Sequence, residues 1–177
     1  MSDLRGRALE LKRAGNRALA RRDYEGSERN FRLLIQEAPD VLDGYLGLAK
    51  LLDRRHRQDE IVKLLEPQAS RFDTAGFHRA LGDAYRVIGA HGNRDAIARA
   101  IDVYDLYHGE QRDPVTLFYK GELLAEVGQL ERAFEALRSS LALDPRSPTV
   151  RGAAKACARK LGRPELAKEL PALERRG

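Results

Sequence analysis

The sequence has very few of the residues from which dedicated chemical sites are built. It contains one cysteine, no tryptophan and four histidines in 177 residues. A single cysteine, Cys157, excludes an internal disulfide and leaves too few thiolates for a typical structural zinc site. The histidines follow no HExxH spacing, and GxGxxG, GxSxG and Walker-type GxxxxGK motifs are absent. The sequence therefore predicts no catalytic, cofactor-binding or metal-binding residues, and a protein that is not an enzyme.

Long apolar runs are also lacking. No stretch approaches the 18 apolar residues that a membrane span needs. The first residues, MSDLRGRALELK, carry charges at Asp3, Arg5 and Arg7 and have no apolar core, so they do not read as a secretory signal. We therefore expect a cytoplasmic protein without membrane insertion, and the small stand-alone format suggests a bacterial one.

Positive charge is concentrated at the two ends of the chain. Residues 1–22 carry seven basic and two acidic side chains, residues 151–177 carry eight and three, and the middle carries 17 and 22. A pI near 9.5 would suit nucleic acid. The acidic middle interrupts any continuous basic stripe, so nucleic acid is not the favoured partner.

Helix-forming residues dominate what is present. Ala, Leu, Arg and Glu are abundant, whereas the β-branched residues Val and Ile are sparse. An apolar fraction of 42% and a charged fraction of 33% are typical of an ordered chain. The composition predicts an all-α fold.

One stretch, residues 117–145, has a two-helix pattern. LFYKGELLAEVGQLERAFEALRSSLALDP carries Gly121 in its first apolar stripe, Gly128 in a turn, Ala133 in its second stripe, and Pro145 at its end. Small residues let two antiparallel helices cross closely, and proline ends the second helix. The stretch resembles a tetratricopeptide repeat (TPR), a helix-turn-helix unit of about 34 residues.

The same period extends through most of the chain. In the first unit, Asp23 is placed to cap the second helix. The second unit lacks a terminal proline, and the third is expanded around residues 89–93, either as longer helices or as a binding loop. We expect a single domain over 1–177 with repeats at 8–41, 42–74, 75–113 and 114–147 and a capping helix pair at about 148–173.

The resemblance to the TPR family implies a right-handed superhelical array of antiparallel helix pairs. Each pair is amphipathic and buries its apolar stripe only by stacking on its neighbours. In that family the first helices line a concave groove that binds peptides. The repeat register places ten residues on that groove: Lys12, Arg13, Asn16, Leu46, Lys50, Asp83, Arg86, Phe118, Tyr119 and Glu122.

These groove residues predict the chemistry of a ligand. One end is basic, and the other is aromatic with a carboxylate, so a partner segment with acidic residues followed by an apolar anchor would complement it. LKRAGNRAL also resembles part of the clamp with which TPR co-chaperones bind the C-terminal tails of heat-shock chaperones, with Lys12 and Asn16 in the matching places. The other three places fall on Gly47, Gly76 and Ala80, which supply no donor side chain.

The leading interpretation is a non-enzymatic adaptor or scaffold that binds a protein partner. One alternative is a self-assembling scaffold or secretion-type chaperone, because basic ends and an acidic middle permit association between copies. The other is nucleic-acid binding through Arg21–Arg22, the Arg54–Arg57 segment and the basic C-terminal residues.

Overall fold

The computed structural model describes residues 2–106 and 113–172, with side chains from Arg5 onward. These residues form helices and no strands, which confirms the all-α prediction. The α-helices are α1 (Ser2–Ala20), α2 (Tyr24–Glu37), α3 (Leu42–Arg54), α4 (Gln58–Leu65), α5 (Ala75–Gly89), α6 (Arg94–Asp105), α7 (Pro114–Glu126), α8 (Leu130–Leu143) and α9 (Pro148–Lys160); short 3₁₀ segments cover Glu66–Gln68 and Pro164–Glu169.

Side-chain caps fix where several helices begin. The predicted cap is confirmed, because Asp23 accepts a hydrogen bond of 2.9 Å from the backbone N–H of Gly26. Thr74, Asp113 and Ser147 cap α5, α7 and α9 in the same way. Each cap satisfies a backbone donor that would otherwise lack a partner in the first helical turn.

The chain forms two compact units, unit 1 (Met1–Ala96) and unit 2 (Ile97–Gly177). In unit 1, α1 packs on α2, α3 on α4, and α1, α3 and α5 make contact in that order. In unit 2, α7 packs on α8, and α9 contacts both. Packed helix pairs thus occur within each unit, while the repeat bounds and the single domain over 1–177 stay predictions.

The packing of unit 1 centres on Phe31, which is fully buried. Its ring lies between the backbones of two glycines, Gly15 on α1 and Gly47 on α3. A Cβ at residue 15 would lie 2.9 Å from the ring, and one at residue 47 would overlap it. Nearby, the buried hydroxyl of Ser27 donates a 3.0 Å hydrogen bond to the carbonyl of Gly15. The ring therefore joins three helices at a distance that only glycine allows.

Unit 2 repeats this arrangement between α7 and α8. Gly121 is followed after sixteen residues by Leu137, the same spacing that separates Gly15 from Phe31. A Cβ at residue 121 would lie 2.7 Å from Leu137. A buried serine again links the pair, because Ser140 donates a 2.6 Å hydrogen bond to the carbonyl of Pro114. The sequence period thus corresponds to one repeated helix crossing.

The second repeat departs from this pattern. Its second helix, α4, ends at Leu65, and the chain continues as the 3₁₀ segment Glu66–Gln68, because Pro67 has no N–H to donate to the carbonyl four residues earlier. Three aromatic rings fill the remaining space: Phe72 packs against Tyr45 and Phe77 with ring centroids 5.3 Å and 6.0 Å away. Aromatic packing here replaces a longer helix.

Two further departures concern helix ends. In the third repeat, α5 continues to Gly89, so only residues 90–93 separate it from α6. After α9, the chain turns at Gly162, with φ of 70°, and restarts at Pro164 as a 3₁₀ segment. The expected capping helix pair therefore contains only one α-helix within the described residues.

Gly47→Ala should destabilise the protein by about 1–3 kcal/mol, the usual cost of overpacking a core. The new methyl group would overlap the Phe31 ring, which Gly15 prevents from moving away. Urea denaturation followed by circular dichroism measures the change.

Gly152→Ala is the matched control. Gly152 is an exposed helical glycine whose added Cβ would meet nothing within 4 Å. Alanine there should stabilise the helix by roughly 0.5–1 kcal/mol. If Gly47→Ala proves as stable as Gly152→Ala, the Phe31 ring is not packed tightly between Gly15 and Gly47.

Candidate functional site

The first helices of unit 1, α1, α3 and α5, carry seven of the ten predicted groove residues. Asn16 on α1 and Lys50 on α3 are exposed. Leu46 is half-buried, and its Cδ1 lies 3.5 Å from the position of a Cβ at Gly76 on α5. Adjacent helices thus present polar groups around an aliphatic side chain. We call Asn16, Leu46 and Lys50 the α1–α3 surface.

Lys12 forms an ion pair with another residue of this protein. Its Nζ lies 2.8 Å from the Asp43 carboxylate on α3, with both side chains partly exposed. The pair borders a cleft of about 410 Å³ between α1 and the α2–α3 connection, where Leu9 is 45% exposed. The ammonium predicted for an acidic ligand is therefore already neutralised by a carboxylate of this chain.

Arg13 lies on another face of α1. Successive helical residues are about 100° apart. Arg13 accordingly lines a different cleft, of about 590 Å³, together with residues of α2 that include Arg29 and Leu33. The sequence-based register had grouped it with Lys12, and the structure does not bring the two together.

The remaining clamp positions do not favour a carboxylate ligand. Gly47 faces the Phe31 ring, so an asparagine side chain would collide there. Gly76 is exposed and Ala80 half-buried. On α5, the Asp83 carboxylate lies 3.7 Å from Arg79 and 3.9 Å from Arg86. Packing, as well as missing donor groups, separates this surface from the co-chaperone clamp.

The other three predicted residues lie on α7 in unit 2. Phe118 and Tyr119 are both half-buried, with ring centroids 5.6 Å apart and planes inclined by 42°. Glu122 is exposed and lines a cleft of about 290 Å³ between α7 and α9, with Lys160 on the α9 side. The α7 residues form an aromatic and charged surface.

In the basic segment Arg54–Arg57, two arginine side chains contact other residues of unit 1. Arg55 lies over the Tyr24 ring, 5.3 Å from its centroid. Arg57 pairs with Glu28 at 2.9 Å and Glu60 at 2.6 Å. Burial raises the pKa of Glu28, but hydrogen bonds from Arg32 and Arg57 outweigh it and hold that pKa below its usual value. These contacts weaken the case for a nucleic-acid site.

Asp105 forms ion pairs with two helices of unit 2. Its carboxylate pairs with Lys120 on α7 and, at 2.6 Å, with Arg132 on α8. Burial raises the pKa of Asp105, but the hydrogen bonds and positive charges of Lys120 and Arg132 lower it by more. The pKa therefore lies below its usual value. One carboxylate thus ties α6 to both helices of the following pair.

No group of three or more potential metal ligands occurs among the described residues. In the same part of the chain, no helix has the length and apolar character needed to cross a bilayer. Cys157 is buried and donates a 3.1 Å hydrogen bond to the carbonyl of Leu130.

Sequence analysis missed the cleft that Arg13 lines. Its signal was present as Arg13 and Arg17, spaced by four residues on α1, and Arg29 on the partner helix. Arg13 and Arg17 were counted only as part of the basic end, and Arg29 as part of the acidic middle. The three arginines can be recognised as a group only when the packed faces of α1 and α2 are known.

Comparison with known proteins identifies the fold. No family model and no curated protein sequence matches the chain. Among solved structures, a thermophilic TPR protein from Thermus thermophilus is 18% identical, with a TM-score of 0.63 over 92% of this chain and 87% of that one. MamA from Desulfovibrio magneticus RS-1 is 15% identical, with a TM-score of 0.74 over 92% and 90%. The chain has a TPR fold, as its repeats indicated.

Asp105→Asn should lower stability at neutral pH and reduce its loss in acid. Because the folded-state pKa is depressed, ionised Asp105 stabilises the fold above the pKa of the unfolded chain. That contribution is lost as the pH falls through the folded-state value. The difference in unfolding free energy between wild type and variant should therefore shrink from neutral pH to about pH 2, as measured by urea denaturation.

Asp102→Asn provides the control, because this exposed carboxylate makes no ion pair among the described residues. Its difference from wild type should stay small at every pH. A constant difference for Asp105→Asn across the same range would contradict the proposed role of the ion pairs.

Proposed function

We propose that this protein is a non-enzymatic adaptor or scaffold that captures a segment of a partner protein on the first helices of its repeats. The observation that carries the proposal is the ordered contact of α1, α3 and α5 in a TPR fold. Adjacent helices offer a continuous surface on which an extended or helical segment can lie.

The α1–α3 surface supports a mixed polar and apolar ligand. Asn16 offers an amide and Lys50 an ammonium group, both exposed, while half-buried Leu46 offers aliphatic contact. An acidic side chain of the partner would pair with Lys50, and an apolar one would pack on Leu46. Because Lys12 is paired with Asp43, Lys50 is the stronger candidate for the cation that selects an acidic segment.

The α7 surface is a further proposed contact area. Aromatic side chains offer a large contact area at a low cost in conformational entropy, and here Phe118 and Tyr119 both keep part of their surface accessible. Glu122 would favour a basic group beside them. We further propose that the protein acts in the bacterial cytoplasm.

Asn16→Ala/Lys50→Ala should abolish or strongly reduce partner capture without unfolding the protein. Both side chains are exposed, so their truncation removes ligand contacts and little internal packing. Affinity purification from the source cells with quantitative mass spectrometry measures the loss, and titration with the purified partner confirms it.

The matched control is Gln36→Ala/Lys63→Ala, which removes an amide and an ammonium group that are exposed on the second helices α2 and α4. This variant should capture the same partner as wild type. A partner retained equally by both double variants would contradict the proposed surface, and one lost equally by both would show that capture depends on general charge.

A further inference from the structure

A second surface of unit 1 carries an unusual concentration of arginine. The cleft of about 590 Å³ along α1 and α2 has Arg13, Arg17 and Arg29 on its rim. Its floor is aliphatic, formed by Leu11, Ala14 and Leu33. We call this feature the arginine cleft. Its volume is typical of pockets that enclose several side chains of a ligand.

Helix geometry explains why these residues meet. Arg13 and Arg17 are four residues apart and so lie above one another on α1. On α2, Arg29 lines the same cleft, together with Asn30 and Leu33. Among the described residues that line it, none belongs to α3. The arginine cleft is thus distinct from the α1–α3 surface.

The rim arginines form no ion pair with the described part of the chain. Arg7, at one edge, is paired with Glu10 at 3.7 Å and Glu37 at 3.2 Å. By contrast, none of the ion pairs among residues 5–106 and 113–172 includes Arg13, Arg17 or Arg29. Of the cleft residues, only Glu10 is acidic. The cleft therefore carries a local excess of positive charge over an apolar floor.

The residues of the arginine cleft favour one type of ligand over others. A further apolar helix pair packing on the cleft would remove guanidinium groups from water without partners, which is unfavourable. Carboxylates suit these groups, because guanidinium donates two parallel hydrogen bonds to one carboxylate. The floor adds a place for an aliphatic or aromatic side chain, which the sugar-phosphate backbone of a nucleic acid does not supply.

We propose that the arginine cleft binds an acidic segment of a partner protein. Two carboxylates of the segment pair with rim arginines, and an apolar side chain between them packs on Leu11, Ala14 and Leu33. Because this cleft and the α1–α3 surface lie on different faces, one copy of the protein holds two partner segments at once. The site goes beyond the proposed function, which concerns the first helices alone.

The test uses short fluorescein-labelled peptides in which two glutamates flank one leucine or phenylalanine at several spacings. Fluorescence anisotropy with the full chain at low salt should show saturable binding of at least one peptide. Replacing its glutamates with glutamine, or the protein's rim with R13Q/R17Q/R29Q, should weaken binding by about tenfold or more, the effect of losing one charge-assisted pair. Added salt should weaken it progressively.

The control variant R99Q/K155Q/R159Q removes the same number of exposed positive charges elsewhere. At about 0.15 M salt it should leave peptide affinity within about twofold of wild type, since exposed charges that do not line the cleft are then largely screened. Circular dichroism should show that both triple variants are folded, and single R13Q and R29Q variants should each give part of the loss. On peptide binding, amide hydrogen exchange should slow in α1 and α2.

Three results would overturn the proposal: no peptide binds the wild-type chain, both triple variants lose binding equally, or a single-stranded oligonucleotide of equal charge competes as well as the peptide. The Asn16→Ala/Lys50→Ala variant should still bind the peptide. Failure of the arginine cleft is therefore distinguishable from failure of the α1–α3 surface.

Discussion

The placement of one aromatic ring between two glycines governs the architecture of unit 1. Phe31 belongs to α2, yet its position is set by Gly15 on α1 and Gly47 on α3. Because the ring is fully buried, the three helices cannot separate without exposing it or approach further without a clash. This contact directs Asn16 and Lys50 to the exterior of α1 and α3, so the candidate ligand surface depends on it.

Charge has two separate uses in this protein. Many ionic side chains hold helices together, as Asp105 does with Lys120 and Arg132, and Arg57 with Glu28 and Glu60. The arginine cleft is different, since its rim arginines have no such carboxylates in the described chain. A composition in which 33% of residues are charged therefore says less about partners than the subset of charges that the fold leaves uncompensated.

The fold was largely predictable because the repeats are encoded locally. Gly15 with Phe31 and Gly121 with Leu137 recur at one spacing, and caps such as Asp23 mark helix starts. The candidate sites were less predictable. A repeat register assigns residues to faces by analogy, and it grouped Lys12 with Arg13 although adjacent helical residues point in different directions.

The sequence by itself determined the all-α class, the succession of helix pairs and the small residues at their crossings, because these depend on propensity and spacing along the chain. Only tertiary structure decided which charges remain available to a ligand. Asp43 pairs with Lys12 and Glu28 with Arg57, whereas Arg13 and Arg29 line one cleft and pair with no carboxylate of the described residues. Ion pairing requires proximity between different helices, and proximity arises only when the helices pack.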